Sequence, residues 1–356
     1  MAERARVAQR GPRAASGGEA PDGGRMTRVM RGTLEDGLSR LRGRRVRIRE
    51  LRRRALRTSR SFRTERVRVI LDGGESVRVF FKDLDPRHQT EKAQQVRAFD
   101  FAPGRREVRM YQSVLSPARF GTPHLYASRW EPEQDIYWLF LEDAGSTLVR
   151  NSHDMTPWVA AARWIARFHA ATRSLPDSQT GFLPQFDRRH YRRCADTVQR
   201  ILPDLDARER RVVGRGLDCY AGQIDRLSAL PRNVIHGQFF GQNIVLRRGG
   251  PVHAIAVVDW ESAAMGPGLF DLASLTAGRW TREQRQSMWA AYVAQYQNET
   301  GQQIDRESFR RDLCTVALYQ SLEWIGWWGS HRRLSRDFSN FLKELESALA
   351  QHSMSC

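Results

Sequence analysis

The chain has 356 residues, about 40% hydrophobic and 28% charged, with a formal net charge of +18. That length buries one large core or two modest ones, and the longest apolar runs, 136–141 and 254–258, fall far short of the roughly 20 residues that span a bilayer. The N-terminal 25 residues lack the apolar segment of a secretory signal, and Cys194, Cys219, Cys314 and Cys356 show no C-x-x-C spacing, which argues against export, a disulfide framework or a zinc site and leads us to expect a cytoplasmic protein.

The positive charge is unevenly placed. Residues 1–66 hold 20 Arg against 7 acidic residues, so +13 of the +18 lies there and the remaining chain is close to neutral. Arg outnumbers Lys 55 to 3, a skew that a GC-rich coding sequence explains better than phosphate binding does. A basic arm for nucleic acid or an anionic membrane surface is one reading of that segment; the ordinary charge elsewhere argues against nucleic acid as the main partner.

In chain order, residues 1–25 are rich in Gly, Ala, Arg and Pro, and a disordered basic arm is expected over 1–32. Leu34, Leu38 and Leu41 share a face and predict a short helix over 33–42. Period-two alternation predicts strands at 46–51, 65–71 and 76–84, with Asp72-Gly73-Gly74 as the turn between the last two. A helix is predicted at 104–115 and a strand at 135–143. Beyond that the chain reads as helical: Thr156-Pro157 opens an amphipathic helix, a second helical region covers about 186–229, and others cover about 281–297, 305–328 and 334–350. These patterns predict an α+β protein with a β-rich N-lobe over 33–142, a mainly helical C-lobe over 143–352, and a cleft between them.

Residues 235–275 carry the densest chemistry. A turn with His236 and Asn243 leads into a strand, and a buried strand, Ile255-Ala256-Val257-Val258, ends at Asp259. An amide and a carboxylate on neighbouring strand ends suit Mg²⁺ on a nucleoside triphosphate. With Arg as the default cation, Lys82 in the apolar strand VRVFFK is a selected residue, and its compact ammonium suits the α- and β-phosphates of ATP.

The run His236-Gly237-Gln238, Asn243, Val257-Val258-Asp259-Trp260-Glu261, Gly266, Asp271-Leu272-Ala273 resembles the signature of the aminoglycoside phosphotransferase and choline kinase group, which has a protein-kinase-like two-lobe fold. The resemblance extends over residues 45–350, more loosely at the end. It implies ATP and Mg²⁺ as cofactors and a small hydroxylated molecule as acceptor. By residue, it implies Asn243 and Asp259 as metal ligands, Glu107 as the ion-pair partner of Lys82, and backbone groups of Glu142, Asp143 and Ala144 facing adenine. His236 and Asp271 would brace the catalytic loop. Residues 58–63 are the phosphate-loop candidate.

One position departs from the pattern. Gln238 stands where the group has an aspartate base, and an amide orients a hydroxyl but takes no proton near neutral pH. This leaves a slow kinase and a nucleotide-binding pseudoenzyme both open. Glu261 is a candidate auxiliary acid or second metal ligand. Glu323, in the Trp-rich segment 318–331, is either a substrate ligand or part of a core helix. Ten acidic residues balance ten basic ones over 271–356, so the sequence shows no acidic site for a polycation.

Overall fold

A computed structural model describes residues 22–56, 62–89, 100–247, 254–278, 280–329 and 338–355. Its first part is a five-stranded antiparallel sheet of β1 (Ile48–Ala55), β2 (Arg63–Leu71), β3 (Ser76–Asp83), β4 (Leu125–Glu131) and β5 (Ile136–Glu142), in the order β1-β2-β3-β5-β4. Strict alternation sorts β3 between the two faces. Val77, Val79 and Phe81 join the outer core, while Phe80 and Lys82 turn toward the cleft. Strand β4 has no clean alternation and was not expected from the sequence; its pairing with β5 is what makes it a strand.

The outer face of the sheet is covered by α1 (Asp22–Arg42). This corrects the expected arm over 1–32: residues 22–32 are helical, and 1–21 lie outside the described residues. The cause is a stripe at helical spacing, since Met30, Leu34 and Leu38 are at most 1% exposed against the sheet. Gly37 lets the helix approach closely. A Cβ there would fall 2.0 Å from the Tyr126 carbonyl oxygen.

Helix α2 (Ala102–Ser113) packs under the inner face of the sheet, and its Glu107 is completely buried. The second part is built on α3 (Thr156–Thr172), α4 (Arg188–Ile201), α5 (Ala207–Ala221), α6 (Leu269–Thr276), α7 (Arg282–Thr300), α8 (Arg306–Gly329) and α9 (Phe338–Ser355). Asp154, rather than Thr156, supplies the first acceptor at the start of α3, taking both the N–H and the hydroxyl of Thr156 at 2.9 Å. The single helical region expected over 186–229 is broken at Pro203 and restarted by an Asp206–Glu209 capping box. Among the described residues, no helix is long and apolar enough to cross a membrane.

Four short strands sit between the two parts: β6 (Arg232–Ile235), β7 (Ile244–Leu246), β8 (Ile255–Val257) and β9 (Ala264–Pro267). β7 pairs with β8 and β6 with β9, both antiparallel. The two ladders bring the 236–243 and 258–263 loops together at the floor of the cleft.

Candidate active site

The ladder register explains why Asn243 and Asp259 meet. Ile244 pairs with Val257, so Asn243 and Val258 lie side by side, and the Val258 N–H donates to the Asn243 carbonyl at 3.0 Å. Asp259 follows in a left-handed conformation, φ 71° and ψ 62°. For a residue with a Cβ such a backbone is strained by about 1 kcal/mol or more, and it persists because its surroundings fix it. One of them is Trp260, which is fully buried and packs at a tilt with its ring 4.6 Å from that of His236.

The 236–243 loop is braced from beneath. The Asp271 carboxylate accepts the His236 N–H at 2.7 Å, the Gly237 N–H at 2.9 Å and His169 Nε2 at 3.0 Å. Burial pushes the His236 imidazole below its usual pKa, so the ring is neutral. Its hydrogen bonds define the tautomer: Nε2–H donates to the Val258 carbonyl at 2.9 Å, and Nδ1 accepts the Gln238 N–H at 3.2 Å. Gly237 has φ +80°, and a Cβ there would fall 2.2 Å from the Ser262 carbonyl oxygen, so no other residue fits this turn.

Lys82 reaches the same floor from β3. Its ammonium lies 2.5 Å from Glu107 and 2.8 Å from Asp259, with only 8% of the side chain exposed. Burial alone would lower the lysine, but Asp259, Glu107 and Glu261 outweigh it and hold Lys82 above its ordinary value. Burial pushes the Glu107 carboxyl up, and Lys82 pulls it back. Glu107 also accepts the Trp260 N–H at 3.3 Å, which ties α2 to the Asp259 turn.

Gln238 lines the cleft half-buried. Its backbone carbonyl accepts the Asn243 side-chain N–H at 2.9 Å. That bond orients the Asn243 amide and leaves its carbonyl oxygen as the acceptor on offer. The donor set is then one amide oxygen and one carboxylate, with Glu261 two residues on. Among the described residues, no three His, Cys, Asp or Glu gather into a self-sufficient metal cage. A hard cation that completes its shell with water and phosphate oxygens fits this pair, and Mg²⁺ is such a cation.

At the edge of the cleft, Glu142 ends β5, and Asp143 and Ala144 follow. Of the backbone groups expected to face adenine, the N–H of Glu142 donates to the His124 carbonyl and that of Asp143 to the Arg78 carbonyl, while the Ala144 N–H is uncommitted among the described residues. Two arginines that sequence reasoning missed hold this edge. Arg247 pairs with Glu142 at 2.6 Å, and Arg66 pairs with Asp143 at 3.1 Å. Their pairings span long loops, which no local pattern reveals. Of the expected phosphate loop, residues 58–61 lie outside the described residues.

The cleft encloses about 1170 Å³ and continues past Gln238 to a wall of rings. Phe186, Phe240, Trp324 and Phe341 line it, and Trp327, 43% exposed, stands at its rim. Glu323 sits among them: α8 packs into the core, and its Glu323 face opens into the cleft. The carboxylate accepts the Tyr319 hydroxyl at 2.7 Å, and that hydroxyl lies 2.6 Å from His190 Nε2. Although its side chain is 32% exposed into the cleft, burial pushes the Glu323 carboxyl up to about 7. Burial pushes His190 down to about 4, with Arg193 adding to the effect.

Two-lobed architecture, a buried lysine–glutamate pair and an Asn/Asp floor define the kinase-like class of phosphotransferases. A family profile described as the phosphotransferase enzyme family matches residues 57–310, and the chain belongs to that family. A search of curated protein sequences returned no match. Solved structures share the fold at low identity. An aminoglycoside phosphotransferase, APH(4)-Ia, in complex with ADP and hygromycin B, is 15% identical, covers 90% of this chain and 98% of its own, and has a TM-score of 0.57. A microcompartment-associated aminopropanol kinase is 16% identical over 86% of this chain and 91% of its own, with a TM-score of 0.54. Choline kinase LicA from Streptococcus pneumoniae is 13% identical over 93% of this chain and 99% of its own, with a TM-score of 0.53.

Proposed function

We propose that this protein transfers the γ-phosphate of ATP, with Mg²⁺, to a hydroxyl of a small molecule bound against the aromatic wall. The observation that carries this reading is the Lys82 ammonium held between Glu107 and Asp259 at 2.5 and 2.8 Å. Such a buried cation, flanked by the Asn243–Asp259 pair, supplies charge where triphosphate oxygens gather. Asn243 and Asp259 would hold Mg²⁺, which when bound screens the phosphate charge. Lys82 would grip the α- and β-phosphates, and Ala144 would donate to adenine. The solved APH(4)-Ia structure, captured with ADP, supports a nucleotide in this cleft.

Gln238 would orient the acceptor hydroxyl without taking its proton. Phosphoryl transfer has a loose transition state, so positioning and charge supply most of the acceleration and a slow reaction survives the loss of a base. The acceptor would rest on Phe186, Trp324 and Phe341, with Glu323 as its one carboxylate partner. Among the described residues, only Glu261 and Glu323 bring acid to the floor and wall beyond Asp259 and Glu107, which suits a hydroxylated or singly charged molecule better than a polycation.

A second reading, nucleotide binding without transfer, is favoured by Gln238 itself. Thermal melting with ATP and Mg²⁺, for the natural protein and Asp259→Asn, tests the shared premise. A Mg²⁺-dependent rise that vanishes in the variant supports a nucleotide site, and no rise at millimolar Mg-ATP sinks both readings. ADP release across a panel of small alcohols and amino alcohols then separates them: release with any acceptor selects transfer.

A further inference from the structure

Arg106 stands on α2 one residue before Glu107 and lines the cleft with Lys82, Asp259 and Glu261. It is half-buried, yet no carboxylate among the described residues lies within ion-pair distance of it. Its single hydrogen bond to a described residue runs from Nη1 to the main-chain carbonyl of Glu261 at 2.6 Å. A guanidinium has five N–H donors, so one bond to a carbonyl leaves most of its capacity unspent. Burial pushes this guanidinium below its usual value, with Asp100 and Glu261 pulling the other way. Withdrawing an arginine from water without a carboxylate partner is unfavourable unless an anion arrives.

The place of this cation narrows the anion. Lys82 already pairs with the Asp259 carboxylate, while Arg106 is anchored to the backbone two residues further along the same turn. The anchored nitrogen fixes the fork, and the planar guanidinium suits two phosphate oxygens at once. We infer that Arg106 binds the terminal phosphoryl group of the nucleotide and neutralises its charge during transfer, supplying from α2 an electrostatic contribution at a site whose acceptor side has no base. This rests on the phosphotransfer reading.

The inference requires discrimination between nucleotides that differ by that one group. Dissociation constants of Mg-ATP and Mg-ADP are measured by calorimetry for the natural protein, Arg106→Met and Arg106→Lys. Arg106→Met should bind Mg-ATP about tenfold more weakly, with Mg-ADP unchanged within about twofold, and Arg106→Lys should fall between. Equal losses for both nucleotides in Arg106→Lys, which keeps the charge and most of the volume, would show that the arginine merely holds α2 against the Glu261 turn. Unchanged affinity for both in either variant would also overturn the inference. If the natural protein binds neither nucleotide, the phosphotransfer reading fails and takes this inference with it. If it binds both and the variants leave the ratio of the two dissociation constants as it is in the natural protein, the reading stands and the inference alone falls.

Discussion

The two ends of the cleft are built from different materials. At one end, charges hold one another: Lys82 between Glu107 and Asp259, and Asp271 under the loop. At the other end, tilted rings pack together, with Trp324 5.1 Å from Phe341 and 5.6 Å from Phe240, and among the described residues a single carboxylate, Glu323, sits among them. The first arrangement demands fixed chemistry at fixed spacing, because a buried charge without its partner is strongly disfavoured. The second demands only apolar surface of suitable shape, which many residues supply. The proposed nucleotide end is therefore committed and the proposed acceptor end adaptable.

The largest effect should come from removing the proposed metal carboxylate. Asp259→Asn should abolish the Mg²⁺-dependent thermal shift and lower any transfer rate by at least roughly 10²-fold; a variant that retained the full shift would break the claim that this end is committed. Gln238→Asp should act in the opposite direction, raising turnover by roughly 10²-fold as a base is restored. Steady-state ADP release reads this directly, and a flat response would mean that the acceptor never presents its hydroxyl there. Glu107→Ala should cost on the order of 3 kcal/mol of stability by denaturant titration, since it exposes Lys82 to an incomplete set of partners. A loss under 1 kcal/mol would mean that Asp259 alone suffices.

The acceptor end should respond more mildly. Trp324→Ala should raise the acceptor KM about tenfold while leaving the ATP KM within about twofold, because stacking contributes roughly 1 kcal/mol beyond area. Comparable rises in both would erase the division of the cleft. Glu323 gives the smallest and most diagnostic signal. Its folded pKa, about 7, lies above the ordinary glutamate value. An acid so raised contributes stability below its unfolded value and loses it as pH rises through the folded one. Glu323→Gln mimics the protonated form, so it should melt roughly 1–3 °C above the natural protein at pH 8 and level with it at pH 5. Equal melting at both pH values would place the carboxylate in open water.

The same contrast explains what was legible in the sequence. His236, Asn243, Asp259 and Asp271 are close in the chain, and the ladder that unites them is short, so one continuous run of sequence carried the family resemblance that singled them out. Lys82 stood out because lysine is scarce here, and alternation put it on the face of β3 opposite Val77, Val79 and Phe81. Arg106, Arg66 and Arg247 were invisible for the opposite reason: in a chain with 55 arginines, one more carries no signal until its partners are seen. Phe186 precedes α4 and Phe341 lies in α9, more than a hundred residues further on, and only packing brings them to one wall. The extent of α1 was hidden by composition, because Gly and Arg around Met26 and Met30 masked a buried stripe that exists only against the sheet.

The inner face of the sheet has one further consequence. Leu139 and Leu141 of β5, Met110 and Tyr111 of α2, and Phe168 and Phe270 of the helical part belong to one continuous hydrophobic core, while α1 and the outer face form another. Cooperativity therefore divides this molecule by layer and not by lobe. Melting should couple the cleft walls into one transition, and amide exchange should find α1 opening as a separate and earlier unit. Ligand bound in the cleft would then protect amides throughout the helical part while leaving those of α1 nearly as they were.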